Sequence, residues 1–336
     1  MDPEIMKIGA QPFMYMRTDA FAQKNFESER IITDLLHCKG GRTIIYTASG
    51  TGAMGAVVEN YASTLGKAFV LDGGSFGHRW YELCEYYGVP MVHYKVDFGK
   101  NPDYADMESK VAAERPGVFL CQHHETSSGE LYDLAKIGDI CRRYGVSLVV
   151  DGISSFLAEP LNMDESGVDI CILSSQKGLN IPPGLAILVF SERILGHKFA
   201  HKGFYWDFDF NLGNMKRGQT AFSPATQIFL QLNARLRQIE AEGGEEHNFG
   251  LVKRRCGYFR SLCAEYGWKV IAENPSNAIT GFQTADKGRN VFQGLIDKYD
   301  TYIMPGVITG FYRISHTGLQ SDEELRLLAE RIREFE

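Results

Sequence analysis

Short runs of β-branched and aliphatic residues alternate along the chain with stretches whose apolar positions recur every three or four residues. Thr43–Thr47 (TIIYT), Ala68–Asp72 (AFVLD), Val89–Val96 and Gly117–Gln122 (GVFLCQ) read as strands. Helical spacing follows each of them, over Gly52–Tyr61, Phe76–Tyr87 and Met107–Glu114, and then where Leu134, Ile137, Ile140, Cys141 and Tyr144 share a face before Gly145 stops the helix. Val146–Val150, Asp169–Leu173 and Leu185–Phe190 are almost continuously apolar, which suits strands covered on both faces. Repeated strand–helix–strand units predict an α/β body with a mostly parallel sheet flanked by helices.

The last third has a different rhythm. Ala225–Ala241 predicts a long helix with Ile228, Leu232, Leu236 and Ile239 on one face, broken at Gly243–Gly244. Beyond it come a helix over Asn248–Tyr266, strands at Lys269–Ala272 and Gly281–Thr284, a helix over Val291–Tyr299, a strand at Phe311–Ile314 and a last helix opened by the capping box Ser321-x-x-Glu324. We expect a large domain over residues 20–230 and a smaller α+β C-terminal domain over 231–336, with residues 1–19 left unassigned between them.

Composition narrows the function. The 35 Lys and Arg against 42 Asp and Glu leave −7, so neither nucleic acid nor an anionic membrane is an expected partner. No apolar run approaches the roughly 18 residues of a membrane span, and Met1–Phe13 lacks the layout of a secretory signal. Seven cysteines, none in a C-x-x-C pair and several inside apolar runs, read as buried reduced thiols in a cytoplasmic protein. His123-His124-Glu125 lacks the H-E-x-x-H spacing, and no metal site is expected. Tyr205–Phe210 alternates aromatic and acidic residues and reads as a half-buried strand or loop.

Four segments carry candidate chemistry. Ser49-Gly50-Thr51-Gly52 follows a strand and opens a helix; it is either an anion cradle or a glycine-rich turn. Asp151 ends the apolar strand Val146–Val150, where α/β folds bind ligands, and would otherwise serve as a helix cap. Lys177, in Ser174-Ser175-Gln176-Lys177-Gly178, lies just past a strand; it is a desolvated nucleophilic amine or an exposed loop lysine. Arg313, inside the strand Phe311–Ile314, needs an anion, from a substrate or from a core carboxylate. A phosphate cradle, an acid, a lysine and a distant arginine together fit pyridoxal 5′-phosphate, which needs a phosphate site, an acid at its ring nitrogen, a Schiff-base lysine and an anchor for the substrate's acid group.

These stretches resemble the class V aminotransferases of fold type I, in particular the alanine/serine–glyoxylate and 2-aminoethylphosphonate–pyruvate aminotransferases. Ser175-Gln176-Lys177-x-Leu179-x-x-Pro182-Pro183-Gly184 is similar to the family's Schiff-base segment. His124-Glu125-Thr126-Ser127-Ser128-Gly129 resembles its H-x-E-S/T-x-x-G loop, displaced by one at the histidine, and Gly74-x-Phe76-Gly77-x-Arg79 resembles its G-x-F/W-G-x-R turn. Met304-Pro305-Gly306 with Tyr312-Arg313-Ile314 resembles the ending of the phosphonate branch.

The resemblance implies an enzyme that moves an amino group from a small donor such as alanine or serine to pyruvate or glyoxylate. Alternatives are 2-aminoethylphosphonate as donor, or a lyase on the same fold. It implies roles as well: Lys177 for the Schiff base and proton transfer, Asp151 at the ring nitrogen and Phe76 on the ring face. Ser49, Gly50, Thr51 and Gln176 would surround the phosphate, Thr126 and Ser155 would line the ring's wall, and Arg313 would clamp the substrate carboxylate. Thr220 and Ser223, in Gln219–Pro224, would reach the phosphate of a second subunit, which implies a homodimer. Val307 and Ser315 depart from the phosphonate pattern at positions where it carries Lys and Gly, and Arg17 is a cation available to replace that lysine.

Overall fold

The computed structural model describes residues 1–336. The chain begins with α1 (Pro3–Ile8) and α2 (Asp19–Leu35), then enters a strand–helix series: β1 (Arg42–Thr47), α3 (Gly50–Asn60), β2 (Ala68–Asp72), α4 (Ser75–Tyr87), β3 (Met91–Lys95), α5 (Tyr104–Glu114) and β4 (Val118–Gln122). A small hairpin, β5 (His124–Glu125) and β6 (Glu130–Leu131), precedes α6 (Leu134–Tyr144), β7 (Ser147–Asp151), the single turn α7 (Met163–Ser166), β8 (Val168–Ser174) and β9 (Leu185–Phe190). Gly145, at φ 66°, ends α6 in the left-handed conformation that glycine adopts without strain.

Seven of these strands form one sheet in the order β1-β9-β8-β7-β4-β2-β3. From β3 across to β8 every neighbouring pair is parallel; β9 runs antiparallel to both β8 and β1. The sequence pattern did not distinguish the direction of β9. The cause is the short Ser175–Gly184 link, which contains no helix to carry the chain back for a parallel pairing.

Alternate strand residues enter two different cores, which explains the almost unbroken apolar runs. Phe69, Leu71, Phe119, Leu148 and Val150 face one layer with α2 and α6; Ala68, Val70, Val118, Leu120 and Val149 face the other with α3 and α4.

The remaining elements are α8 (Phe208–Met215), α9 (Thr226–Ala241), α10 (Gly244–Tyr266), β10 (Lys269–Val270), β11 (Ile279–Gln283), α11 (Asn290–Tyr299), β12 (Met304–Pro305), β13 (Phe311–Ser315) and α12 (Asp322–Arg333). Tyr205–Phe210 is not a strand: Asp207 accepts a hydrogen bond from the Phe210 N–H and caps α8, so the aromatic–acid alternation marks a helix entrance. The four short strands of this region form an antiparallel sheet, β10-β11-β13-β12, over a separate core containing Phe259, Phe282, Leu295 and Ile332. The capping box at Ser321 and Glu324 is formed.

The expected boundary near residue 231 falls inside α9. Phe229, Leu232, Leu236 and Ile239 of this helix pack into the core beneath the large sheet, with the Phe229 and Phe21 rings 4.6 Å apart. α9 gives way to α10 at Gly243–Gly244, whose φ values of 108° and 72° admit few residues other than glycine. All seven cysteines are buried and unpaired, and no helix is long and apolar enough to cross a membrane.

Candidate active site

Parallel strands end together, and the residues that follow them share one crevice. β7 ends at Asp151, β8 is its neighbour, and the link leaving β8 carries Gln176 and Lys177. Across the sheet, β1 leads into α3 through Ser49, whose side chain does not cap the helix, so the first turn presents its N–H groups without that competitor. These segments enclose a cavity of about 200 Å³ lined by Ser49, Gly50, Thr51, Phe76, Thr126, Asp151, Gln176 and Lys177, together with Met54, Ile153 and Ser154. Gly50 packs closely: a Cβ there would lie 2.3 Å from Ile153 Cδ1, so the end of that side chain would have to move.

Electrostatics set Asp151 and Lys177 apart from the rest of the lining. Burial pushes the Asp151 carboxyl up to about 7; the Ile153 N–H, 2.9 Å from Oδ1, and the charge of Lys177 oppose that rise, and Glu125 adds to it. Burial lowers the pKa of Lys177, the nearby Arg313 lowers it further, and Asp151 opposes both. Neither group has enough compensation of its own to hold its charge at ordinary cost, so each gains from a ligand that supplies the opposite charge.

The other predicted residues are distributed around this centre. Arg313, on β13, donates to Thr126 O at 2.9 Å and faces Pro305 O at 3.4 Å; its Nε is buried without a partner. Those acceptors are neutral carbonyls, and Arg313 is not among the residues that line the cavity. Ser155 does not line the cavity: it is fully buried in the turn after β7, and its hydroxyl lies 3.4 Å from Gly152 O. Its neighbour Ser154 takes the wall instead, accepting a 2.7 Å hydrogen bond from the Thr126 hydroxyl and facing His124 Nδ1 at 3.0 Å. Consecutive residues of a turn point apart, and the Ser-Ser pair gave no sign of which one faces inward.

Thr220 and Ser223 lie outside the cavity of their own chain. Thr220 Oγ1 donates to Phe222 O at 2.7 Å, and Ser223 is exposed. Arg17 does not enter the cavity either; it donates to the carbonyls of Thr220 and Ala221 at 2.8 and 3.5 Å and holds that segment.

The residue that sequence reasoning undervalued is Glu125. Wholly buried, it accepts hydrogen bonds from the backbone N–H groups of Gly77 (2.9 Å), Ser127 (3.0 Å) and Phe76 (3.4 Å), from the Ser127 hydroxyl, and from Gln122 Nε2 at 2.8 Å. It thereby anchors the first turn of α4, which presents Phe76 to the cavity. The motif contained this glutamate; its partners Phe76 and Gly77, 49 and 48 residues earlier, were invisible. A second link joins α4 to the cradle: Arg79 donates to Thr51 Oγ1 at 3.2 Å.

The profile of the family described as aminotransferase class-V matches residues 11–205. The chain belongs to the class V aminotransferases. It is 28% identical over 273 residues to the serine–glyoxylate aminotransferase of Hyphomicrobium methylovorum, covering 79% of this chain and 67% of that one. It is 25% identical over 335 residues to the L-aspartate–glyoxylate aminotransferase of Paracoccus denitrificans, covering 95% and 84%. Its fold matches the crystal structure of a subgroup IV aspartate aminotransferase from Thermus thermophilus with a TM-score of 0.91 at 25% identity, over 100% of this chain and 97% of that one. The expected α/β fold with its smaller C-terminal body is therefore correct, and the aminotransferase is an enzyme.

The raised Asp151 pKa has a stability consequence in this aminotransferase prepared without added cofactor. Between the ordinary carboxyl value of about 3.9 and the folded value of about 7, the folded chain holds a proton that the unfolded chain has lost. The stability from the neutral carboxyl is thus complete below about pH 4 and is lost as pH rises through 7. Asp151→Asn should raise the thermal midpoint at pH 8 and flatten its decline between pH 5 and 8. Glu130, whose burial also lifts it to about 7, should leave a residual slope. Identical profiles for both proteins by differential scanning fluorimetry would show that Asp151 does not titrate in this window.

Proposed function

We propose that this class V aminotransferase uses pyridoxal 5′-phosphate, held through Lys177, to move an amino group from a small amino acid to a 2-oxo acid. The observation that carries this reading is the convergence of Asp151, Lys177 and the start of α3 on one cavity of about 200 Å³. The residues present fit the group. A helix start with Ser49, Thr51 and Gln176 suits a phosphate. Asp151, short of partners, suits a protonated ring nitrogen, and Phe76 supplies an apolar face for the ring. When bound, the cofactor supplies an electron sink that acidifies the Cα–H of an amino acid.

The protein's own part follows from the site. Burial and Arg313 favour the neutral amine of Lys177, which can accept a proton at Nζ and return it to another atom of the same substrate. Asp151, ionised opposite a cation, would hold that cation's proton in place. The Thr126–Ser154–His124 chain fixes the hydroxyls of the wall; burial pushes His124 down to about 3, so the chain ends on a neutral imidazole. Arg313, with two neutral acceptors and a bare Nε, supplies the cation for a carboxylate common to donor and acceptor.

The relatives' names support glyoxylate as acceptor, with serine or aspartate as donor. A donor with a single carboxylate, such as serine, fits better than 2-aminoethylphosphonate, because Val307 stands exposed where a second cation would be needed and Arg17 is committed to Thr220 and Ala221. A desulfurase-type lyase is disfavoured, since every cysteine is buried and none lines the cavity. The same unpaired thiols suit a cytoplasmic enzyme.

A second copy of the chain completes this reading. Phe204, Tyr205, Phe210 and Phe222 form a partly exposed aromatic cluster beside Thr220 and Ser223, with Phe204 74% exposed. Such a patch gains from burial against a partner, which would bring Thr220 and Ser223 to the neighbouring phosphate site.

Borohydride treatment of the loaded enzyme should attach the pyridoxyl group to Lys177 in peptide maps, and each productive donor should convert the visible band fully in the absence of acceptor. Labelling of another lysine refutes the assignment. Asp151→Ala should retain the cofactor while kcat falls roughly 10²–10³-fold, the scale of losing one partner of a buried charge pair.

Arg313→Lys should raise KM for donor and acceptor together, by about ten- to a hundred-fold, because a point charge cannot reproduce the guanidinium fork. A change confined to one substrate would mean that the two carboxylates bind elsewhere.

Sedimentation should find a dimer, and Thr220→Ala with Ser223→Ala should weaken cofactor binding without dissociating it. A monomer with full cofactor affinity would end the shared-site reading.

A further inference from the structure

Behind the turn that carries Phe76, three side chains far apart in sequence meet at one point. Asp72 ends β2; His93 lies on β3, where it pairs with Val70, so it and Asp72 are diagonal neighbours on one face of the sheet. His78, in the first turn of α4, folds back over the strand end. One carboxylate oxygen, Asp72 Oδ2, lies 2.6 Å from His93 Nε2 and 2.9 Å from His78 Nδ1. All three potential ligand atoms lie within 4.8 Å of one another. The Asp72 side chain is 10% exposed and that of His93 19%, whereas His78 is 46% exposed and leaves one side of the cluster open to water.

The imidazoles are held before any ion arrives. Tyr81 stacks on His93 with centroids 4.2 Å apart and on His78 at 5.2 Å, and its hydroxyl is tied to Glu85. Arg79, the nearest cation in sequence, is directed to Glu82 and Thr51, so it does not occupy the carboxylate. Two imidazole nitrogens and one carboxylate oxygen, with a solvent-facing fourth position, form the donor set of an open zinc site. Zinc bonds of about 2.0–2.1 Å place neighbouring ligand atoms roughly 3.3 Å apart, so the two nitrogen–oxygen separations need to open by less than about 1 Å.

We infer that Asp72, His78 and His93 form a binding site for a zinc-class divalent cation, separate from the Lys177 cavity. An ion there replaces two N–H···O hydrogen bonds with three coordinate bonds and ties the ends of β2, β3 and α4 together. It would brace Gly73–Gly77, the turn that places Phe76.

Tag-free enzyme loaded with its cofactor is dialysed against zinc chloride and then against buffer, and zinc per chain is measured by atomic spectrometry. Cobalt(II) absorbance provides a second reading of the ligand set. About one zinc per wild-type chain is expected. Asp72→Asn and His93→Gln should abolish it, and the half-exposed His78→Gln should weaken it by at least about tenfold. His201→Gln, which alters a histidine whose two nitrogens face different carboxylates, should retain the full complement. Circular dichroism and cofactor absorbance establish that each variant is folded. No retained zinc in the wild type, equal retention in all variants, or a loss that spares His78→Gln each overturns the three-ligand site.

Discussion

A buried carboxylate and a half-buried amine sit at the ends of neighbouring strands with too few partners of their own. Asp151 has one backbone donor, and Lys177 has only an opposing charge in the same cavity. Burial at such cost persists only where surrounding structure compels it or a ligand compensates it. Here the strand order compels it: β7 and β8 are adjacent and parallel, so Asp151 and the link after Ser174 must emerge side by side. The link to the antiparallel β9 is short, and a short link keeps Lys177 beside the strand ends.

The rest of the site is braced from behind. Glu125 gathers the first-turn N–H groups of α4, and Arg79 joins that helix to Thr51 at the start of α3. Phe76, Thr51 and Asp151 are thus placed by three elements that restrain one another. Removing the Glu125 carboxylate would leave several buried donors unpaired, which costs more than one hydrogen bond. Burial raises its pKa overall, and those donors oppose the rise.

The pattern of apolar runs revealed most strand positions because nearly every residue of β2, β4, β7, β8 and β9 enters one of two cores. It could not reveal strand direction, which depends on the length and content of a link. Nor did it reveal that α9 belongs with the large body, because an amphipathic helix does not specify which sheet its face covers. Asp151, Lys177 and the Ser49–Thr51 turn, which line one cavity, could be singled out because each lies within a short, contiguous segment. Ser154 was lost to Ser155 through a one-residue ambiguity of facing. Glu125 and the Asp72–His78–His93 cluster depend on contacts between distant segments, and spacing carries no trace of those.

The arginine expected to hold the substrate comes from the smaller body, so its position depends on how that body is fastened. Two buried carboxylates of the large body do the fastening. Glu130 accepts from the backbone N–H groups of Glu273 and Asn274 at 2.7 and 2.9 Å, and Glu159 accepts from the Ser276 hydroxyl at 2.8 Å and from the Asn277 N–H. Both grip the segment just before β11, and β11 pairs with the strand that carries Arg313. Arg313 completes the circuit by donating to Thr126 O, next to Glu125. A shift of the smaller body would stretch these bonds together, so the guanidinium is held against Thr126 by the same contacts that join the two bodies.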